Sequence, residues 1–136
     1  MTTRYLVDTN VLLRFLTGQP LNQAEATKKL LEDAAAGEVV LEVSPVIAAE
    51  AYYTLTSFYE IPRAEAARKI AALLRRRGVK VSDSVQVFDA LDRLQRTNVG
   101  FADAFLAAGA AMESVSVASF DRDLDRFDDI ERFEPK

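Results

Sequence analysis

Four short apolar runs recur along the chain, Tyr5 to Val7, Val39 to Val43, Val79 to Val81 and Ser116 to Ala118, and each is separated from the next by helical signals. Short strands alternating with helices predict a parallel sheet with helices on both faces, because parallel neighbours need long crossover connections. The connecting segments carry their own punctuation. Asn10 to Leu16 reads as a helix broken by Gly18 and Pro20, and a second helix runs from about Asn22 to Ala36. Gly37 suits the left-handed position that ends such a helix. Ser44 followed by Pro45 is an N-cap with proline in the first turn, opening a helix to about Phe58. Pro62 opens another that ends near Arg77-Gly78. Ser82 or Asp83 caps one reaching about Thr97, and an Ala-rich helix spans Ala102 to Glu113. A short helix near Arg122 to Phe127 and a small fifth strand, Ile130 to Phe133, complete the pattern. At 136 residues the expectation is one α/β domain, residues 1–136. In sheets of this kind, sites form beyond the carboxyl ends of the strands.

Four acids occupy places where acids are out of character. Asp8 ends the first apolar run, and Asp121 follows the run Val115 to Phe120. Both therefore fall at strand ends. Glu50 interrupts the nearly uncharged stretch Ser44 to Tyr59, and Asp103 is the only charge between Val99 and Met112. Ordinary roles exist for three of them. Asp8 is a suitable N-cap, although Thr9 and Asn10 serve a cap equally well. Asp103 falls in a first helical turn, where the positive helix end favours any acid. Asp121, Asp123 and Asp125 suggest a calcium loop, but its sixth position is Arg126 rather than Gly and its twelfth is Arg132 rather than Glu. Asp121 is then the better ligand and Asp123 an auxiliary, with Asp125 facing solvent.

Glu50 is harder to explain as a structural residue. It shares a helix face with Val46, Ile47, Tyr53 and Thr54, while Ala48, Tyr52, Leu55 and Tyr59 lie opposite. Both faces are apolar, so the helix is expected to be buried on more than one side. A lone carboxylate there must find a partner or shift its pKa. No Lys or Arg occurs between residues 44 and 62, which leaves a distant arginine as the structural alternative.

The chain has no His and no Cys, which removes imidazole, thiolate and Ser-His chemistry and any disulfide framework. It has no Gly-rich phosphate loop. An aspartyl-phosphate phosphatase would carry a second Asp two residues after the first, where Asn10 stands. Oxygen chemistry remains, and clustered carboxylates suit a hard cation such as Mg²⁺ or Mn²⁺. Net charge is −4, with a pI near 4.9. That argues against broad unassisted adhesion to nucleic acid. It leaves room for a metal-dependent nuclease, because bound cations reverse the sign of an acidic pocket. The cations crowd one stretch, Arg63, Arg68, Lys69, Arg75, Arg76, Arg77 and Lys80. That stretch reads either as a solvated helix face with arginines at its negative end, or as part of a phosphate-tracking surface. The lack of cysteine fits a reducing compartment, so the expected location is cytoplasmic. The residues before the first strand lack the basic and apolar regions of a signal peptide, so none is expected. The most apolar windows contain Glu50 or Asp103, so no membrane span is expected.

Leu6-Val7-Asp8-Thr9-Asn10-Val11-Leu12, then Glu50 in its apolar helix, then Phe101-Ala102-Asp103-Ala104, then Ser119-Phe120-Asp121-Arg122-Asp123 closely resemble the PIN-domain family. Order and spacing look most like the VapC-type toxins of prokaryotic type II toxin–antitoxin pairs. The resemblance spans Tyr5 to about Phe133. It implies a three-layer α/β/α fold and a metal-dependent endoribonuclease that hydrolyses RNA phosphodiesters. It also implies that Asp8, Glu50, Asp103 and Asp121 are the metal-site acids. Asp8 and Asp103 are expected as direct ligands of Mg²⁺ or Mn²⁺. Glu50 and Asp121 either ligate too or orient the attacking water and a second ion. Thr9, Asn10 and Ser119 are candidate hydrogen-bonders to the ligands, with Asp123 the alternative to Asp121. A small antitoxin is implied as partner. A homodimer is expected because one apolar face of the Pro45 to Tyr59 helix needs a second cover; the chain's own helix from Pro62 is the alternative cover. A non-catalytic binding module and a DNA-directed nuclease are the competing readings.

Overall fold

The computed structural model describes residues 2–136. The elements are β1 (Thr3–Leu6), α1 (Thr9–Thr17), α2 (Leu21–Ala35), β2 (Val39–Val43), α3 (Pro45–Ser57), α4 (Arg63–Leu74), β3 (Val79–Val81), α5 (Ser84–Arg96), α6 (Phe101–Glu113), β4 (Val117–Ala118), a 3₁₀ turn (Arg122–Arg126) and β5 (Arg132–Phe133). This is the expected α/β order, with parallel pairing throughout.

The local signals act as anticipated in two places. The Ser44 hydroxyl accepts the Ile47 N–H at 3.3 Å, with Pro45 as the first helical residue. Gly37 takes φ 85, and its N–H reaches the Ala34 carbonyl while Glu38 N–H reaches that of Asp33. Those bonds satisfy the last carbonyls of α2. At α5 the outcome differs. Asp83 holds the N-cap position in left-handed backbone, φ 52, and its side chain makes no cap bond. Helix α4 also stops at Leu74, short of the expected Arg77. The chain there turns through Gly78 at φ 88, and Val79 N–H bonds the Arg76 carbonyl.

The strands form two ladders rather than one. β1, β2 and β3 are hydrogen-bonded in that order, and β4 pairs only with β5. β4 is two residues long and its ladder is taken up by Arg132–Phe133, so no strand stands on the outer edge of β1. All four β1 residues are therefore exposed, Leu6 most of all. Paired residues of a parallel sheet point the same way. Tyr5, Leu41 and Val79 share one face, and Leu6, Glu42 and Lys80 the other. On the first, Leu41 and Val43 pack with Leu12 and Leu31 in the core. On the second, Arg4 ion-pairs with Glu42 at the surface.

Most of the remaining core lies among α3 to α6. Tyr52, Leu55, Ile70, Leu74, Leu91 and Leu94 are fully buried. Each such side chain contributes roughly 1.5–3 kcal/mol relative to exposure. Ala104, Ala107 and Ala108 let α6 approach α5 closely. At Gly109 a Cβ would stand 2.7 Å from the Gln86 amide nitrogen, which donates to the Phe105 carbonyl across the two helices at 2.9 Å.

Candidate metal centre

Asp8 sits at the N-cap position of α1, but its carboxylate makes no cap bond. The helix start is held instead by the backbone, Val11 N–H to the Asp8 carbonyl at 3.1 Å. Capping therefore does not occupy this side chain. Beside it, Thr9 is buried, and its hydroxyl has no hydrogen-bond partner among the described residues. Buried hydroxyls normally have one. Asn10 is exposed on the next position.

Asp103 lies in the first turn of α6 and is half-buried. Burial raises its pKa above the usual carboxylate range, and the charges of Asp121 and Asp123 raise it further. Asp121 accepts the Asp123 N–H through Oδ1 at 2.9 Å, which starts the 3₁₀ turn, and Ser119 Oγ accepts the Asp121 N–H at 2.9 Å. One Asp121 oxygen thus shapes the turn. Asp123 lies 3.5 Å from Arg126. Each of the two acids thus has one oxygen engaged, Asp121 by the Asp123 N–H and Asp123 by Arg126. Asp125 is exposed and held by Arg132, as a solvent-facing residue should be.

Glu50 departs from expectation. It is exposed rather than buried, because α3 turns Ala48, Ala51, Tyr52 and Leu55 inward and the Glu50 face outward. No desolvation cost arises, and no distant arginine is needed. The outward face remains apolar around it, with Val46, Tyr53 and Phe58 all exposed. A groove lined by Pro45, Val46, Ala49, Tyr53, Phe101 and Phe105 continues from there to the start of α6.

The structure thus brings Asp103, Asp121 and Asp123 within electrostatic reach of one another. It does not bring all four acids to one point. Among the described residues no three carboxylates stand close enough to enclose an ion. Asp8 follows β1 and Asp121 follows β4, which belong to separate ladders. The donor set still fits Mg²⁺ or Mn²⁺. These ions take oxygen ligands, and Mg²⁺ keeps several waters and needs only one or two carboxylates. Asp103 and Asp121 can supply those two. Thr9 Oγ1 beside Asp8 is an unpartnered oxygen suited to a bridging water.

One positioning residue carries no obvious sequence signal of its role. Arg93 is almost fully buried, pairs with Asp89 and Asp129, and lies over the Phe127 ring at 5.0 Å. It ties the segment after the 3₁₀ turn to α5. The i,i+4 spacing of Asp89 and Arg93 was readable; the long-range partner Asp129 was not.

The molecule is thus an α/β domain whose strand ends and helix starts carry acids free of capping duty or held near other acids. The PIN domain profile matches residues 5–130, and the chain belongs to the PIN-domain family. Among solved structures it is similar to VapBC2 from Rickettsia felis bound to a DNA fragment from their promoter. That likeness has 15% identity and a TM-score of 0.44 over 96% of this chain and 98% of the other. No curated protein matches the chain. Among the described residues, no helix is long and apolar enough to cross a membrane.

Proposed function

We propose that this chain is a metal-dependent endoribonuclease, the toxin of a type II toxin–antitoxin pair. Membership of the PIN-domain family supports a nuclease. The observation that carries the metal reading is Asp103, a half-buried carboxyl whose pKa is raised by burial and by two neighbouring acids. Such repulsion is relieved by a cation. A divalent ion held by Asp103 and Asp121 would supply a water of lowered pKa and neutralise phosphate charge. In this reading Asp8 and Glu50 belong to the same set of acids as Asp103 and Asp121. With no His in the chain, proton removal would fall to a carboxylate or to the metal, and the exposed Glu50 is the carboxylate proposed for it. Ser119, through its bond to the Asp121 N–H, holds the turn that aims Asp121.

The exposed apolar face of α3 supports two protein contacts in this reading. A second copy covers part of it, making a homodimer. The chain's own α4 does not serve as that cover, since Val46, Tyr53 and Phe58 stay in solvent. A small antitoxin lays an apolar segment in the groove beside Glu50 and inserts a cation among the acids. Expression alone should arrest growth, and co-expression with the neighbouring small open reading frame should restore it.

Labelled RNA and DNA incubated with Mg²⁺, Mn²⁺ or EDTA test the activity. Cleavage of RNA only, abolished by EDTA, is expected. Cleavage of DNA alone would assign a different substrate, and no cleavage with any metal would favour a binding module.

A further inference from the structure

We propose that the turn joining α4 to β3 is a second polyanion contact, for the phosphate backbone of a folded RNA that extends beyond the acidic site. The proposal rests on the ribonuclease reading for its partner, but not for its geometry. Helix α4 buries Ala66, Ala67, Ile70, Ala71, Leu73 and Leu74, and leaves Arg68 and Lys69 outward. Arg75, Arg76 and Arg77 follow directly, all exposed. At 1.5 Å per residue Arg68 lies about 9 Å along α4 from its last residue, Leu74, where the three arginines begin.

The turn that presents these groups is rigid. Gly78 has φ 88, and a Cβ there would lie 2.2 Å from the Ala34 carbonyl oxygen. Arg75 N–H bonds the Ala71 carbonyl at 3.0 Å and Arg76 N–H bonds that of Leu73 at 3.1 Å. Two of the guanidinium groups are also fixed from below. Arg75 lies over the Phe88 ring at 4.7 Å, and Arg76 over Phe15 at 5.3 Å. Stacked guanidiniums keep their N–H edges free for phosphate and lose less freedom on binding.

Arg75 is the C-cap residue of α4, so its charge also complements the helix's negative end. That role does not call for guanidiniums laid over the rings of Phe88 and Phe15 on other helices. Among the described residues, none of the three side chains donates to a carbonyl, and none has a carboxylate within ion-pair distance. Arg4, Arg93, Arg96, Arg126 and Arg132 are all paired with acids. Arg14 and Arg63 are held by the side chains of Gln23 and Asn98, whereas Arg75, Arg76 and Arg77 are three adjacent cations with no polar side-chain partner among the described residues. Their position matters too. The turn precedes β3, whereas Asp8 follows β1, and the strands are parallel. The arginines therefore lie at the opposite end of the sheet, about 15 Å away for a five-residue strand. A short oligonucleotide at the acids would not reach them; a folded RNA would.

The test uses the full chain in EDTA, so that no cleavage intervenes. Fluorescence anisotropy would compare a folded hairpin RNA with a short single strand. Arg75→Gln/Arg76→Gln/Arg77→Gln should weaken hairpin binding about tenfold or more. It should also lower the salt slope by about two, since each lost phosphate contact removes about 0.7–0.9. The short strand, which cannot follow the whole run of cations and which the metal-free acids repel, should bind weakly and lose less than the hairpin does. Arg77→Gln alone, which disturbs no stacked pair, should give a smaller loss in the same direction and guards against misfolding of the triple variant. Unchanged hairpin affinity and slope in both variants would overturn the proposal, as would an equal loss on the short strand or preference for an acidic peptide over the hairpin. If the wild type cleaves nothing with metal yet its hairpin binding depends on these arginines, the ribonuclease reading fails and the contact stands.

Discussion

Asp103 is where chemistry and stability meet at the scale of a single residue. Its pKa is raised by burial first and by Asp121 and Asp123 second. An acid whose folded pKa lies above its unfolded value makes folding less favourable once pH rises through that window. At neutral pH without metal, Asp103→Asn should therefore hold or raise the melting temperature, while cleavage falls by orders of magnitude. A purely structural acid would give the opposite, a lower melting temperature with activity kept. Asp129 has the other sign. Its hydrogen bonds from Arg93 hold its pKa below the usual range. Its contribution is present above the unfolded carboxylate pKa of about 3.9 and is lost as pH falls through the lower folded value. Urea melts should show Asp129→Asn less stable than wild type at neutral pH, by up to about 1 kcal/mol given its partial exposure, with the gap closing in acid. A gap that widens in acid would contradict the assignment.

Elements were legible where a local device fixed them. The Ser44-Pro45 start and the Gly37 stop are written in a few adjacent residues, and the structure uses both. Glu50 was misread because helix periodicity reports which residues share a face, not which face meets solvent. Both faces of α3 are apolar, so only tertiary packing could choose. The division of the strands into two ladders was unreadable for a similar reason. A two-residue β4 carries too little pattern to name its neighbour. The candidate acids stood out as charges among apolar residues; their mutual distances depended on that pairing. Gly78 offers a test at this scale. Alanine there would meet the Ala34 backbone and an unfavourable φ together, so Gly78→Ala should destabilise by more than about 1 kcal/mol. A melt unchanged from wild type would show the turn to be pliable.

For the whole molecule, the exposed face of α3 predicts self-association. Light scattering at tens of micromolar should give a dimeric mass, and Val46→Glu or Phe58→Glu should return it to a monomer. A monomeric wild type would remove the dimer. In the proposed site, acids from the end of β1, α3, α6 and the turn after β4 serve one divalent cation. Asp8 is decisive, being farthest along the chain from the Asp103 cluster and already free of any capping bond. Calorimetric titration of Mn²⁺ into wild type and Asp8→Asn is the direct measurement. Saturable binding by wild type is expected, with a loss of affinity of at least about tenfold in Asp8→Asn. Equal Mn²⁺ affinity in the two proteins would contradict it.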